Sequence, residues 1–430
     1  MTSGPTADFP TAAFTRFWVA ETVSSFGTYV TLLALQTVVV LTLDGTAQDV
    51  GWLNSARWLP YLVLGLVVGA LVDRRRRRPL LVGTDLASAA LLCLIPVAWA
   101  LDVLSLPLLC GIVAVYGAAT LVNGAASMSI VPRLVPRAHL QRAHARIDGA
   151  DAVAQTAGPA LAGLLVKVVG APLAVLVDAA TYLFSALAMS MVAVEEPTAQ
   201  RTGRPRLREE MRDGVRWVYR GSGLATLAAA THLWFAANAV LGAVLAPYAL
   251  LTLGLTPLQL GLATAVAGVG GVVGATTSSA GGRRLGTGGA VIAAHAATTV
   301  GVVVMALAGV GTSGWVATAV LGLGQGCHGF AIGFGNSHEM TYRQALTPDA
   351  LQARTNTTMR AANRAVIVVV APLGGLLAVQ IGNRGALAVA AGVFAVVVVW
   401  LAASPFRTAD AMTAQPPNPP NPTSFPSGSR

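Results

Sequence analysis

A few ionisable side chains lie inside runs of residues that are otherwise apolar, and their chemistry calls for explanation first. Glu21 falls in an apolar stretch at about residues 14–41, Arg57 in one at 50–72, Asp151 in one at 146–169 and Arg364 in one at 358–381. His232 and His328 fall in further runs, at 224–250 and 314–336. A carboxylate held at low dielectric favours its neutral form, so it can take up and release a proton near neutral pH. Glu21 is the first candidate for such exchange and Asp151 the second. The plainer alternative for both is a structural ion pair or a cap on a broken helix. Arg57, just before Leu59-Pro60, can hold an anionic group or pair with a carboxylate. Arg364, His232 and His328 are candidates for lining a substrate cavity, and a lone intramembrane His can equally be packed or hydrogen-bonded. Asp85, Asp148 and Arg360 read as gate or topology residues, and Asp178 as structural. Cys93, Cys110 and Cys327 sit in apolar runs without metal-ligand spacing, so neither a metal site nor a disulfide framework is expected.

The elements that carry these groups follow from composition. The 430 residues are 54% hydrophobic and 11% charged, against about 25% charged in soluble domains. Such a chain has lipid as its main solvent. Gly69-Ala70-Leu71-Val72-Asp73 runs into Arg74–Arg78 and Pro79. One Arg at the centre of a membrane helix costs about 2.5–3.5 kcal/mol on insertion scales, so this block is a loop between spans. Twelve spans are read at about 14–41, 50–72, 80–101, 105–131, 146–169, 172–194, 224–250, 257–280, 287–309, 314–336, 358–381 and 384–403. Arginine collects in the loops after even-numbered spans, which places those loops and both termini in the cytoplasm. The net charge of +10 is spread over these loops and forms no continuous face, which argues against a nucleic-acid partner.

The segment 195–222 divides the chain into a first bundle, 13–194, and a second, 223–407. Within it Leu207, Met211, Val215 and Val218 recur at helical spacing, predicting an amphipathic helix on the inner membrane surface. Residues 1–12 and the Pro- and Asn-rich stretch 408–430 are expected to be disordered. The halves echo each other. Leu134-Val135-Pro136 and Gly158-Pro159 correspond to Leu346-Thr347-Pro348 and Ala371-Pro372, an offset of roughly 210 residues. Parallel six-helix repeats with a site at their interface are a transporter architecture.

The loop Gly69, Asp73, Arg74, Arg77, Arg78 resembles the signature of the major facilitator superfamily, with Arg76 where that signature often has Gly. Leu134-Val135-Pro136-Arg137 through Gly158-Pro159-Ala160-Leu161-Ala162-Gly163, with Arg343-Gln344-Ala345-Leu346-Thr347-Pro348 and Arg354-Thr355-Asn356, is similar to the macrolide-efflux and enterobactin-exporter-like subfamily. The resemblance implies an all-α membrane fold of twelve transmembrane helices in two pseudo-symmetric six-helix bundles. It implies that Asp73 with Arg74, Arg77 and Arg78 gates the cytoplasmic side. It also implies that Gly158, Pro159 and Gly163 mark an export-type fifth helix. Small residues allow close helix approach and Pro permits a bend.

The expected activity is export of a small amphipathic molecule (a drug, macrolide, siderophore or natural product) by proton-coupled alternating access. The alternatives are ion-coupled uptake and a transport-inactive membrane receptor. The expected setting is the inner membrane of a bacterium, with a monomeric chain whose partners are substrate, protons and lipid. No phosphate-cradling loop and no nucleophile–base arrangement stands out, so neither an enzyme nor a cofactor is expected.

Overall fold

The computed structural model describes residues 9–194, 207–221 and 223–410. The regular structure among them is helical. The helices are α1 (Ala12–Thr37), α2 (Ala47–Asp73), α3 (Arg77–Ala100), α4 (Leu106–Leu134), α5 (Leu140–Val169) and α6 (Ala171–Ser190). After them come α7 (Leu207–Arg216), α8 (Ala225–Pro247), α9 (Pro257–Leu307), α10 (Gly314–Ala345), α11 (Asp349–Ile381) and α12 (Asn383–Ala403).

Ten helical stretches among the described residues are long and apolar enough to cross a membrane. One of them, α9, has 51 residues. At 1.5 Å per residue a straight helix of that length would run about 77 Å, more than twice a hydrocarbon core of about 30 Å. It is broken at Gly286, whose φ of 70° lies in the left-handed region that glycine tolerates. α2, of 27 residues, is also of spanning length. Large apolar side chains such as Met128, Val168 and Val399 stay exposed, the surface a multi-pass protein offers to lipid.

The helices overrun the apolar spans at the arginine-rich end. α5 starts at Leu140, α10 continues to Ala345 and α11 starts at Asp349. Those extensions carry several Ala, Gln and Arg residues, which are good helix formers whatever their polarity.

Among α1–α6, α1 packs on α5 and α6, α3 on α4 and α6, and α2 on α4. Among α8–α12, α9 packs on α10 and α12, and α8 on α11 and α12. The two sets meet where α2 crosses α11 and α8, and where α5 crosses α9. Local devices recur about 210 residues apart. Thr46 N–H and hydroxyl both donate to Asp49 Oδ2, as Thr256 N–H and hydroxyl both donate to Gln259 Oε1. Gly170 between α5 and α6 and Gly382 between α11 and α12 have φ of 83° and 80°.

The cores differ between the two ends. Away from the arginines, one buried cluster draws on both sets, from Val30, Leu35 and Leu92 to Leu241, Val244 and Leu387. At the arginine-rich end the buried apolar residues form separate clusters. Phe14, Phe17, Ile130 and Met189 belong to one, and Leu227, Val291, Val397 and Leu401 to another. Backbone spacing follows the same gradient. A methyl group at Gly51 would run into the Ala371 carbonyl, and one at Gly375 into the Ala47 carbonyl. Further along α2, Gly65 and Gly69 have nothing within 4 Å of where a Cβ would stand. The two sets of helices are therefore joined at one end and splayed at the other.

The expected disorder of 1–12 and 408–430 extends too far inward. Phe9 stacks on His139 and lies under the Arg146 guanidinium, and Thr11 caps α1 and donates to the Leu134 carbonyl. The Ala409 carbonyl accepts from Gly288 N–H. Unsatisfied helix-end groups recruited these flanks. Residues 1–8, 195–206, 222 and 411–430 lie outside the described residues.

Candidate functional site

A cavity of about 670 Å³ lies among α1, α5, α8, α9 and α10. Its polar lining includes Tyr29, Gln36, Asp148, Gln155 and His328, and Pro159 forms part of its wall. Glycines of α9 and α10 complete the wall, and there the two backbones nearly touch. A methyl group at Gly329 would meet the Ala267 carbonyl, and one at Gly333 the Gly271 carbonyl.

The Gly158, Pro159 and Gly163 group holds this region together. Gly158 admits the Tyr29 side chain of α1, and Gly163 admits the Pro257 carbonyl of α9. Gly261 of α9 reciprocates by admitting the Pro159 carbonyl. A proline cannot donate to the carbonyl four residues before it, so Pro159 frees the Gln155 C=O within the cavity wall. The equivalent Pro372 of α11 frees Val368 C=O, and there Ser55 Oγ of α2 donates to it at 2.7 Å.

Glu21 of α1 accepts from Ser127 Oγ of α4 at 2.9 Å. Asp151 of α5 accepts from the Tyr29 hydroxyl at 3.3 Å, which ties it to the cavity without its lining the space. Asp148, one turn earlier and expected as a gate or topology residue, is the carboxylate that lines the cavity, because it shares the inward face of α5 with Ala152 and Gln155. Asp85 is buried, and Asn123 Nδ2 and Ser185 Oγ each donate to one of its oxygens at 2.7 Å. Asp178 is fully buried, accepts from Thr181 Oγ1 at 3.0 Å and lies near the Tyr116–Tyr182 hydroxyl pair, whose oxygens are 2.9 Å apart.

Of the residues expected around a cavity, His328 lines it. It is buried and stacks on Trp234 with ring planes 12° apart. His232 does not line it, because both of its ring nitrogens are already engaged. Nδ1 pairs with Asn363 Oδ1 and Nε2 with the Tyr219 hydroxyl, each at 2.7 Å. Arg57 and Arg364 also lie outside the lining and converge instead on Trp58 at the α2–α11 seam. The Arg364 guanidinium carbon is 3.7 Å from the ring centroid and that of Arg57 is 5.3 Å.

In the arginine loop, Arg77 is buried and Arg74 exposed. Arg78 Nε donates to the Met189 carbonyl at 3.3 Å, and Arg78 Nη2 donates to the Ser190 carbonyl. These bonds clasp α3 to the end of α6 within the first set of helices. The Asp73 side chain lies outside the described side chains, and a methyl at Gly69 would meet nothing within 4 Å. In α7, Met211 and Val215 stay exposed while Val218, just beyond, packs on Ala228 and Met359. The Leu207 side chain lies outside the described side chains. Asp213 pairs with Arg354 of α11 at 2.8 Å.

No sequence motif pointed to Tyr29, Ser127 or the His295–Glu339 pair, whose atoms are 3.5 Å apart. Only the intramembrane aromatic and hydroxyl residues themselves could have drawn attention to the first two, whereas Trp58 stands out in sequence with Trp18 and Trp52 as a group divided between interface belt and cavity wall.

The chain is 31% identical over 246 residues to the "Multidrug efflux pump Tap" of Mycobacterium tuberculosis, covering 55% of the chain and 58% of that protein. It is 22% identical to "Macrolide efflux protein A" of Streptococcus pyogenes over 50% of the chain and 53% of that protein. The matched region thus spans little more than half the length of these curated relatives. Among solved structures, a bacterial homologue of the iron transporter ferroportin superposes in its inward-facing state with a TM-score of 0.72 at 14% identity, covering 92% of this chain and 99% of that one. The outward-facing state of a bacterial ferroportin homologue gives 0.60 at 16% identity over 91% and 99%. The sequence profile of the Major Facilitator Superfamily matches residues 17–336. On that match and this fold, the chain is a multi-pass membrane protein and belongs to the Major Facilitator Superfamily.

Proposed function

We propose that the protein exports small amphipathic molecules by proton-coupled alternating access, as a member of the macrolide-efflux and enterobactin-exporter-like branch. The observation that carries the reading is the wedge: one core shared by both sets of helices at one end, and separate cores with open helix ends at the other. With α9 counted as two spans and α2 included, twelve spans form two six-helix bundles, 13–194 and 223–407, joined by the 195–222 linker. The arginine loops and both termini then face the cytoplasm of a bacterial inner membrane, and the wedge is the inward-facing state. The better superposition on an inward-facing than on an outward-facing ferroportin homologue supports that assignment.

Substrate enters the cavity lined by Tyr29, Asp148, Gln155 and His328. Its mostly apolar wall and few polar groups suit an amphipathic molecule. Glu21, held by Ser127, and Asp151, held by Tyr29, exchange protons as the bundles rock. The Gly158, Pro159 and Gly163 helix sets how closely α5 and α9 approach at the outer end. Asp73, Arg74, Arg77 and Arg78 re-form the inner gate when the cleft closes. The names of the two efflux relatives point the same way.

The test is flux in inverted membrane vesicles with an imposed proton gradient, using a panel of macrolides, dyes and siderophores. Glu21→Gln is expected to abolish gradient-driven accumulation while leaving binding intact. Accumulation that persists without a gradient, or runs opposite to the proton-driven direction, refutes the reading.

A further inference from the structure

Two guanidiniums stand toward the arginine-rich end of the α2–α11 seam without a salt bridge among the described residues. Ser55 and Val368 bond across this seam, and one turn further along each helix come Trp58 and Arg364. Arg364 lies flat against the Trp58 ring, 3.7 Å from its centroid, with the Tyr61 ring 6.0 Å away. Arg57 approaches the same Trp58 ring at 5.3 Å. Arg360 stands one turn from Arg364 on α11, close enough to act on it electrostatically, and its charge has the same sign. Among the described residues, neither Arg57 nor Arg364 makes an ion pair or a hydrogen bond, and Arg364 Nε is buried without a partner.

Aromatic faces orient a guanidinium and shield one side of it, but they satisfy none of its N–H donors. Glu21 is held by Ser127, Asp151 by Tyr29, Asp85 by Asn123 and Ser185, and Asp178 by Thr181; Asp178 lies close enough to Arg57 to act on it electrostatically without forming an ion pair, and Asp148 lines the cavity. The seam is closed on the Ser55 side and open beyond Gly65, so the two arginines lie between its closed and open ends. Asn54 of α2, one turn before Arg57, donates through Nδ2 to the Gly242 carbonyl of α8 at 3.2 Å, and Gly242 lies one turn before the cavity-lining Leu245, so the seam adjoins the cavity.

We infer that Arg57 and Arg364 form an anion subsite, taking the carboxylate, sulfonate or phosphate of an amphipathic molecule whose apolar body occupies the neighbouring cavity. This rests on the transport reading above and narrows its substrate class. Planar guanidiniums match the two-oxygen edge of such groups better than an ammonium would. An anion drawn there also neutralises the like charges that otherwise repel across the seam.

The experiment uses full-length protein in phosphatidylcholine nanodiscs and two xanthene dyes, anionic fluorescein and cationic rhodamine 6G, followed by fluorescence anisotropy. Fluorescein is expected to bind, and Arg364→Gln to weaken it at least about tenfold, the loss of a charge-assisted hydrogen bond. Rhodamine binding should not weaken. Arg57→Gln is the second variant and should act in the same direction. If neither variant yields folded protein, displacement from the wild type decides: benzenesulfonate must displace fluorescein and benzyltrimethylammonium must not. Fluorescein binding lost in phosphatidylglycerol discs would assign the anion to a lipid headgroup, and binding unchanged there to a soluble molecule. No binding of fluorescein, equal binding to wild type and both variants, or displacement by the cation alone overturns the inference. The vesicle flux result is independent, so rhodamine export without fluorescein binding sinks this subsite and leaves the exporter standing. Fluorescein binding without proton-driven flux does the reverse.

Discussion

Replacing Ser55 by alanine probes the seam where the two sets of helices are joined. Ser55 is 6% exposed, and its hydroxyl donates at 2.7 Å to Val368 C=O, an acceptor that Pro372 deprives of its helical donor. Ser55→Ala leaves that carbonyl buried and unsatisfied, at a cost of about 1–3 kcal/mol. The cost falls on the state in which this end is closed, because water reaches the carbonyl once the seam opens. The equilibrium should therefore move toward the opposite state by roughly 5- to 150-fold. Spin labels on cysteines replacing the exposed Arg137 and Arg284, which sit in arginine loops of different helix sets, would report a growing short-distance population. Pro372→Ala supplies the check. Alanine returns an N–H to Val368 C=O, so Ser55→Ala should have little effect in that background, a coupling visible in a double-mutant cycle. An equal shift in both backgrounds would refute the assignment of this hydrogen bond as a state-selective latch.

Gly163→Val would drive a side chain into the Pro257 carbonyl of α9. It is expected to prevent closure of the arginine-poor end and to abolish transport, read as a shift of the same label pair with binding of the dyes retained. His232→Leu removes the partner of both Tyr219 and Asn363. It should lower stability by about 2 kcal/mol or more, measured as a fall in thermal midpoint, with substrate KM unchanged because the residue lies outside the cavity lining. Arg354→Ala breaks a pair whose side chains are 36% and 43% exposed, so solvent screening limits the loss to under about 1 kcal/mol. A large drop in midpoint would show that α7 carries more of the fold than its contacts suggest.

The span positions and the repeat were legible because a run of about 20 apolar residues and a recurrent Gly-Pro or Ala-Pro each carry their own physical reason. The role of Gly158, Pro159 and Gly163 as a close-packing surface follows from residue size alone and matches the contacts of α5 with α1 and α9. Pairings across helices were not legible. A span that is apolar on every side carries no periodic mark of which face turns inward. Nothing in sequence therefore told Asp148, which lines the cavity, from Asp151, which leans on Tyr29. Arg57 and Arg364 were recognisable as costly intramembrane charges, but their meeting at Trp58 depends on the relative rotation of two helices more than 300 residues apart. The ends of the helices were misjudged for a related reason: apolar content marks where lipid stops, and helix propensity decides where the backbone stops coiling.

The uneven division of the apolar interior has a thermodynamic corollary. Leu241, Val244 and their neighbours form a continuous oily spine in the conformation described, and in the alternating-access cycle proposed above, swinging the carrier the other way must wet part of it. Unless the arginine loops gain equal contact when they meet, an empty molecule drifts back to this posture unaided. In the proposed cycle, a loaded one must draw on its cargo or its ion to leave it. Waiting with the doorway open to one compartment would then be the default, and the return stroke needs no separate drive.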